Sequence, residues 1–313
     1  MKRMLAFFLC ILSFTVFGQS KQVAVTIDDL PVAGGDPNDI AFQRSVTDDL
    51  MRALARHHVP AIGFVNESKL LTSGTIDARK ADLLSRWLAH GMELGNHTFA
   101  HKDYNAVTFT EMAEDVLKGE RTVSRLLKER GKELRYFRQP FLHRGNSKEK
   151  ADSLAAFLKE RGYVEAPVTI DNGDWIFASA YYKAWSAHDT AQMKSIGSAY
   201  IGYMEQKVRY YERQSQRLFG YEMKQTLLIH ASRLNADWFD SLARMFEANG
   251  YAFVSLAEAL QDPAYRAADT FYRKGGISWI DRWALTAGKK GDFFRDEPRV
   301  PEAIMKAAGV DSE

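Results

Sequence analysis

Val23-Ala-Val-Thr-Ile-Asp-Asp-Leu-Pro31 is the stretch from which the rest of the chain can be read. Residues 23–27 are a short, mostly apolar run with four β-branched side chains, which predicts a β-strand. It ends on two consecutive carboxylates, Asp28 and Asp29. In an extended chain neighbouring side chains point to opposite sides, so the two would not share one job. Taken alone, an Asp-Asp ahead of Gly34-Gly35-Asp36-Pro37 reads equally as a solvated turn or a helix cap.

A second stretch changes that balance. Glu93-Leu-Gly-Asn-His-Thr-Phe-Ala-His101 places two histidines four residues apart after another short strand. On a helical turn His97 and His101 share one face, where both imidazoles reach one ion, although such a pair also occurs as unrelated surface residues. An aspartate from a separate strand end completes a three-ligand site with open positions for water and substrate. Histidine with carboxylate suits Zn2+ and does not exclude other transition metals. The chemistry this pattern predicts is metal-dependent hydrolysis.

Outward from these stretches, β-rich runs alternate with helical periods. Strands are predicted at 23–27, 60–65, 92–95, 134–137, 163–166, 226–229 and 251–254, with helices at 41–58, 78–90, 110–128, 147–161 and 236–249 between them. Seven strands alternating with helices predict a parallel α/β fold, open or closed into a barrel. Functional residues in such folds gather at strand C-termini, where this chain carries Asp28, Asp29, Asn66, His97, Arg138, Asp171 and His230. Two segments break the rhythm. Residues 176–225 are far longer than an ordinary connection and read as a helical insertion on the rim of the site. Residues 263–313 form a C-terminal helical appendage. Both are rich in tyrosine and tryptophan, most of which should pack in the core, while some could stack on sugar faces.

The 313 residues are 46% hydrophobic and 26% charged, an ordinary globular balance. Lys2 and Arg3, the apolar 4–17 and Gly18 form a secretory signal peptide at 1–18, which predicts a secreted or periplasmic protein; an uncleaved anchor is the alternative. The catalytic domain is then expected at 19–262. The one cysteine, Cys10, leaves with the leader, so no disulfide or thiolate ligand remains. Loss of Lys2 and Arg3 takes the formal charge from +2 to zero, so nothing marks a nucleic-acid or acidic-membrane partner. No later segment is apolar enough for a bilayer span. Oligomeric state is open.

Five motifs in order, Thr26-Ile-Asp-Asp-Leu-Pro31, His97-Thr-Phe-Ala-His101, Arg138-Gln-Pro-Phe141, Asp171-Asn-Gly-Asp-Trp175 and Leu227-Leu-Ile-His230, resemble the polysaccharide deacetylases of carbohydrate esterase family 4 (NodB-type homology), over about residues 22–260. The family usually has Phe and Gly where this chain has Ile27 and Leu30, and its fourth-to-fifth motif spacing is shorter. The resemblance implies a distorted (β/α) barrel and removal of acetyl groups from sugars with a divalent metal. It implies Asp29, His97 and His101 as metal ligands, Asp28 as general base, and His230 as general acid. It also implies Arg138 beside the base, lowering its basicity while keeping it ionised, and Asp174 beside His230, raising its pKa. The backbone N–H of Phe141 would stabilise the oxyanion. Trp175 would wall the acetyl or sugar pocket, unless it is a buried structural tryptophan. Asp171 would cap or brace its loop, and His143 is an additional candidate for the rim. His57, His58, His90 and His188 read as surface residues.

The expected partner is an acetylated carbohydrate, N-acetyl (peptidoglycan, chitin-type) or O-acetyl (xylan-type). The long insertion would narrow the groove toward short oligosaccharides or chain ends. Two other functions compete: hydrolysis of a non-sugar small amide on the same scaffold, and catalytically silent carbohydrate binding.

Overall fold

The computed structural model describes residues 21–313. The leader read at 1–18 lies outside the described residues.

Along the chain the strands are β1 (Lys21–Leu30), β2 (Ile62–Val65), β3 (Leu71–Thr72), β4 (Thr75–Ile76), β5 (Glu93–Asn96), β6 (Tyr136–Phe137), β7 (Val164–Glu165), β8 (Gln225–His230) and β9 (Tyr251–Phe253). All but β3 and β4 belong to one parallel sheet in the order β7-β6-β5-β2-β1-β8, with β9 also on β1. Val23 pairs with Gln225 of β8 and with Phe253 of β9, so β9 lies on the edge of β1 that β2 occupies farther along. The seven predicted strands are therefore the seven strands of this sheet. The short antiparallel hairpin of β3 and β4 was not anticipated.

The sheet curls into a half-barrel. Its two ends, β7 and β8, approach each other through one bridge, Ile170 to Leu227. The C-terminal arm fills the gap there: the Trp279 N–H donates to the Val168 carbonyl (2.7 Å) and the Ser278 hydroxyl to that of Thr169 (2.7 Å). Residues 23–27 are wholly buried, as a central strand covered on both faces must be.

The helices are α1 (Ile40–Arg56), α2 (Ala78–Ala89), α3 (Phe109–Lys118), α4 (Arg121–Lys128), α5 (Lys148–Glu160), α6 (Asp174–Ser186), α7 (Thr190–Phe219), α8 (Arg233–Ala248), α9 (Leu256–Ala259), α10 (Trp279–Thr286) and α11 (Glu302–Ala308). The single helix expected over 110–128 is two, because the chain breaks after α3 at Gly119. The insertion is the pair α6 and α7, in which Phe177 meets the rings of Tyr200 and Tyr203 at 5.6 and 5.1 Å. One apolar core runs from β1 through Tyr200, Tyr210 and Tyr211 of α7 to Trp279, Ile280 and Trp283 of α10 and Ile304 of α11. Each such large side chain contributes roughly 1.5–3 kcal/mol on burial, so arm and insertion are bound to the half-barrel by the same force that forms it. Among the described residues no helix is long and apolar enough to cross a membrane.

Candidate active site

Because the strands are parallel, β1, β5, β6 and β8 deliver Asp28 and Asp29, His97, Arg138 and His230 to one end of the sheet. The expectation that the two aspartates face opposite ways does not hold. The β1–β2 register shifts between Ile27 and Leu30, and Asp29 sits in the left-handed region (φ 69°), which breaks the alternation. Both carboxylates turn to one imidazole: His97 Nε2 is 3.7 Å from Asp28 Oδ2 and 3.8 Å from Asp29 Oδ1.

His97 and His101 do not lie on a helical turn. They sit on a loop with Thr98 (φ 67°) and His101 (φ 53°) left-handed, which brings the rings to 4.9 Å. Neighbours hold this loop. Asn96 accepts from the Thr98 N–H (2.7 Å), the Thr98 hydroxyl accepts from the His101 N–H (3.0 Å), and the Asn66 amide donates to the His97 carbonyl (2.6 Å). Asp115 of α3 accepts from the N–H groups of Phe99 and Ala100 (3.0 Å each). A Cβ on Gly119 would come within 2.4 Å of the Thr98 carbonyl carbon, so the close approach of this loop requires glycine there. Of nine non-glycine residues at positive φ among the described residues, Asp29, Thr98, His101, Phe141 and Leu142 are at this site. Backbone strain is thus concentrated where the functional groups are.

Asp29, His97 and His101 each offer one donor atom, and these atoms lie within 4.8 Å of one another. Their state suits a cation. His97 Nδ1 donates to the Arg138 carbonyl (2.8 Å), which leaves Nε2 with its lone pair. Burial pushes His97 down to about 4; burial and His97 do the same to His101, so both rings are neutral near pH 7. Burial works against charge on Asp29, yet Lys69 (Nζ 3.2 Å from Oδ2) and the charged His230 ring outweigh it and hold the carboxylate ionised. Asp29 Oδ1 is buried with no hydrogen-bond partner among the described residues, an acceptor suited to ligating a cation.

Two ion pairs flank these donors. Arg138, wholly buried, places Nη1 at 3.2 and 3.3 Å from the Asp28 oxygens, with Nη2 on the Thr26 hydroxyl (2.8 Å) and Nε on the Ala166 carbonyl (2.7 Å). The net effect on Asp28 differs from the expectation: burial raises its pKa by more than Arg138 lowers it, so the carboxylate is a stronger base than an exposed one. On the other flank Asp174, itself buried, accepts from His230 Nδ1 (2.7 Å), the His230 backbone N–H (2.8 Å) and the Asn235 amide (2.9 Å). Burial opposes charge on His230, but Asp174 prevails and the ring is pushed up to about 9.

Asp28, Asp29, His97, His101 and His230 line a cavity of about 950 Å³, in the range of small-molecule sites. Trp175 is 45% exposed and Phe141 53% exposed, both in its wall, so Trp175 is not a buried structural residue. The Phe141 ring meets His101 edge-on at 4.5 Å. Asp171 also lines the cavity, accepting the Asn172 N–H (2.9 Å), and burial pushes it up to about 6. His143 is on the rim with its Nδ1 2.7 Å from Asp103. Of the histidines read as surface residues, His58, His90 and His188 are exposed, and His57 is partly covered by Asp240 and Glu247.

Several residues escaped the sequence reading. Lys69, which holds Asp29, and Asn235, which holds Asp174, stand outside any motif and are lysine and asparagine like many others. Lys207, Glu297 and Arg299, also in the cavity wall, come from the insertion and the arm, whose docking has no local sequence signal.

Residues 17–158 match the polysaccharide deacetylase family. A chitooligosaccharide deacetylase of Bradyrhizobium sp. (strain ANU 289) is 31% identical over 104 residues, which is 33% of this chain and 39% of that protein, so the chain matches well under half of that relative's length. Among solved structures, BA3943, a CE4 family pseudoenzyme from Bacillus anthracis, superposes with a TM-score of 0.52 at 15% identity, covering 77% of this chain and 66% of its own. A mutant of that pseudoenzyme with restored enzymatic activity gives 0.52 at 16%, covering 77% and 68%. At such identities the likeness is one of fold.

Proposed function

We propose that the chain, whose residues 17–158 match the polysaccharide deacetylase family, is a metal-dependent hydrolase that removes N- or O-acetyl groups from a carbohydrate. The leader at 1–18 would send it to the periplasm or outside the cell. The observation that carries the reading is the convergence of three metal-type donors between two ion pairs, Arg138–Asp28 and Asp174–His230.

Asp29, His97 and His101 would hold one divalent ion, most naturally Zn2+, which supplies Lewis acidity toward the acetyl carbonyl and acidifies a water. Asp28 takes the proton of the attacking water on a carboxylate oxygen. Burial gives it the basicity and Arg138 fixes its direction. His230 gives a proton to the leaving nitrogen or oxygen, which departs poorly as an anion; Asp174 keeps the ring charged until then. The proton gained at Asp28 and the one lost at His230 balance through solvent before the next turnover. The Phe141 N–H stabilises the oxyanion, while the Phe141 and Trp175 side chains flank the acetyl group and exclude water.

Pseudoenzymes exist on this fold. Here Asp28, Asp29, His97, His101, Arg138 and His230 are all present and converge, which favours catalysis over silent carbohydrate binding. The test is acetate release from N-acetylated chito-oligomers, peptidoglycan fragments and acetylated xylan by the zinc-loaded protein, with the His97→Ala/His101→Ala double variant as control. Release that disappears in the variant supports the reading and names the linkage. No release from any of them, with metal occupancy confirmed, transfers the function to a non-sugar amide.

A further inference from the structure

The cavity has a charged end wall that the acetyl chemistry does not use. It is built by α7 and the C-terminal arm, outside the segment matching the deacetylase family. The arm is clamped on both sides of the cavity. At one side Gly276 packs against the Phe141 carbonyl, and a Cβ there would lie 1.8 Å from that oxygen. At the other, Val300 closes on Gly173, where a Cβ would lie 2.5 Å from Val300 Cγ2. The Gly173 N–H donates to the Tyr203 hydroxyl (2.9 Å), which in turn contacts the Glu313 side chain (3.3 Å). The arm thus runs from the loop that carries Phe141 round to the loop that carries Asp174.

On this wall Lys207, only 4% exposed, pairs with Glu297 at 2.7 Å, and the Tyr211 hydroxyl donates to the same carboxylate (3.2 Å). Asp171 stands beside them with only its neighbour's N–H bound. Burial raises Asp171 to about 6 against the opposing charge of Lys207, so near neutral pH it is mostly a carboxylate that accepts hydrogen bonds. The Lys207–Glu297 pair and the Tyr211 hydroxyl satisfy these groups only in part, and the donors and acceptors left at the cavity wall suit an occupant that hydrogen-bonds. A row of hydroxyls does so; an apolar group does not. An uninterrupted polymer would need a second exit where the arm stands.

We propose that this cavity receives chain ends: the terminal sugar of a short acetylated saccharide rests against Asp171, Lys207 and Glu297, which bind its hydroxyls, and the arm bars passage of an unbroken polymer. This rests on the deacetylase reading above. The experiment uses the full zinc-loaded chain on N-acetylated chito-oligomers from dimer to hexamer and on the polymer of the same linkage. Mass spectrometry locates the sugar that loses its acetyl group. Loss confined to one terminal region, with polymer turnover scaling with its number of ends, is the expected result. Glu297→Gln and Lys207→Met should each raise KM for the oligomers by roughly 10–100-fold, the effect of one charged hydrogen bond, with the effect falling on KM rather than kcat. Loss spread along the oligomers, or polymer turnover per acetyl group equal to that of the oligomers, overturns the proposal and leaves the deacetylase reading standing. Variants that lower kcat and thermal stability together with KM unchanged also overturn it, since the wall would then be merely structural. Absence of acetate from every saccharide removes both readings.

Discussion

Replacing Asp174 by asparagine should move the alkaline limit of activity. Asp174 is buried and accepts two hydrogen bonds from His230, one from the ring and one from the backbone. Its charge is the chief reason the ring is pushed up to about 9 against the effect of burial. The gap between that value and an ordinary histidine, about 6.5, corresponds to roughly 3 kcal/mol of preference for the charged ring. Without the carboxylate, burial is left uncompensated and the ring should titrate at about 6.5 or below. At pH 7.5 nearly every wild-type ring is charged, against about one in ten in the variant, so acetate release should fall about tenfold there and recover toward pH 6. The same pair sets a stability signature. A raised folded-state pKa gives stability that is fully present below about pH 6.5 and is lost as pH rises through about 9. The variant's melting temperature should therefore be flatter than wild type across that window. The assays are a pH–rate profile and an NMR titration of the His230 ring. An alkaline limb unmoved in a folded variant would refute the assignment of His230 as the acid held by Asp174.

Three further outcomes follow from the geometry. Arg138→Ala leaves Asp28 buried without its partner and empties the space of a fully buried guanidinium, so denaturant unfolding should show a loss of about 3–5 kcal/mol; a loss below about 1 kcal/mol contradicts the buried-pair account. Gly119→Ala should favour its helix by propensity, yet its methyl collides with the Thr98 backbone between the two histidines. Zinc affinity measured by chelator competition should therefore drop although residue 119 offers no ligand, and unchanged affinity would show that the loop does not depend on this contact. Trp175→Ala removes an exposed ring from the cavity wall, so it should raise KM while thermal stability stays within about 0.5 kcal/mol of wild type, as for an ordinary surface substitution; a large stability loss would make Trp175 a packing residue.

The sheet was legible because its strands are short apolar runs closed by glycine and polar residues, and periodicity alone separates them from the helices. The site was legible because parallel strands bring their ends together, so Asp28, His97, Arg138 and His230 could be grouped before any contact was known. What failed was local geometry. Strand alternation misplaced Asp29, because a left-handed residue in a bulge leaves no mark on an aspartate. The i, i+4 rule brought His97 and His101 together for a reason that does not apply, since a loop held by Asn96, Thr98 and Asp115 does what a helical turn was expected to do. The sign of the shift at Asp28 depended on how deeply the Arg138 pair is buried, which composition does not reveal. The end wall depended on the arm folding back from residues 263–313 onto loops more than a hundred residues earlier, a purely tertiary event.

The most direct test of the central claim is acetate release from an N-acetylated chito-oligomer as zinc is added back to the metal-free protein. The account predicts a rise that breaks at one equivalent in the wild type and is absent from the His97→Ala/His101→Ala variant. Acetate release that survives complete chelation, or is the same in that variant, would contradict it.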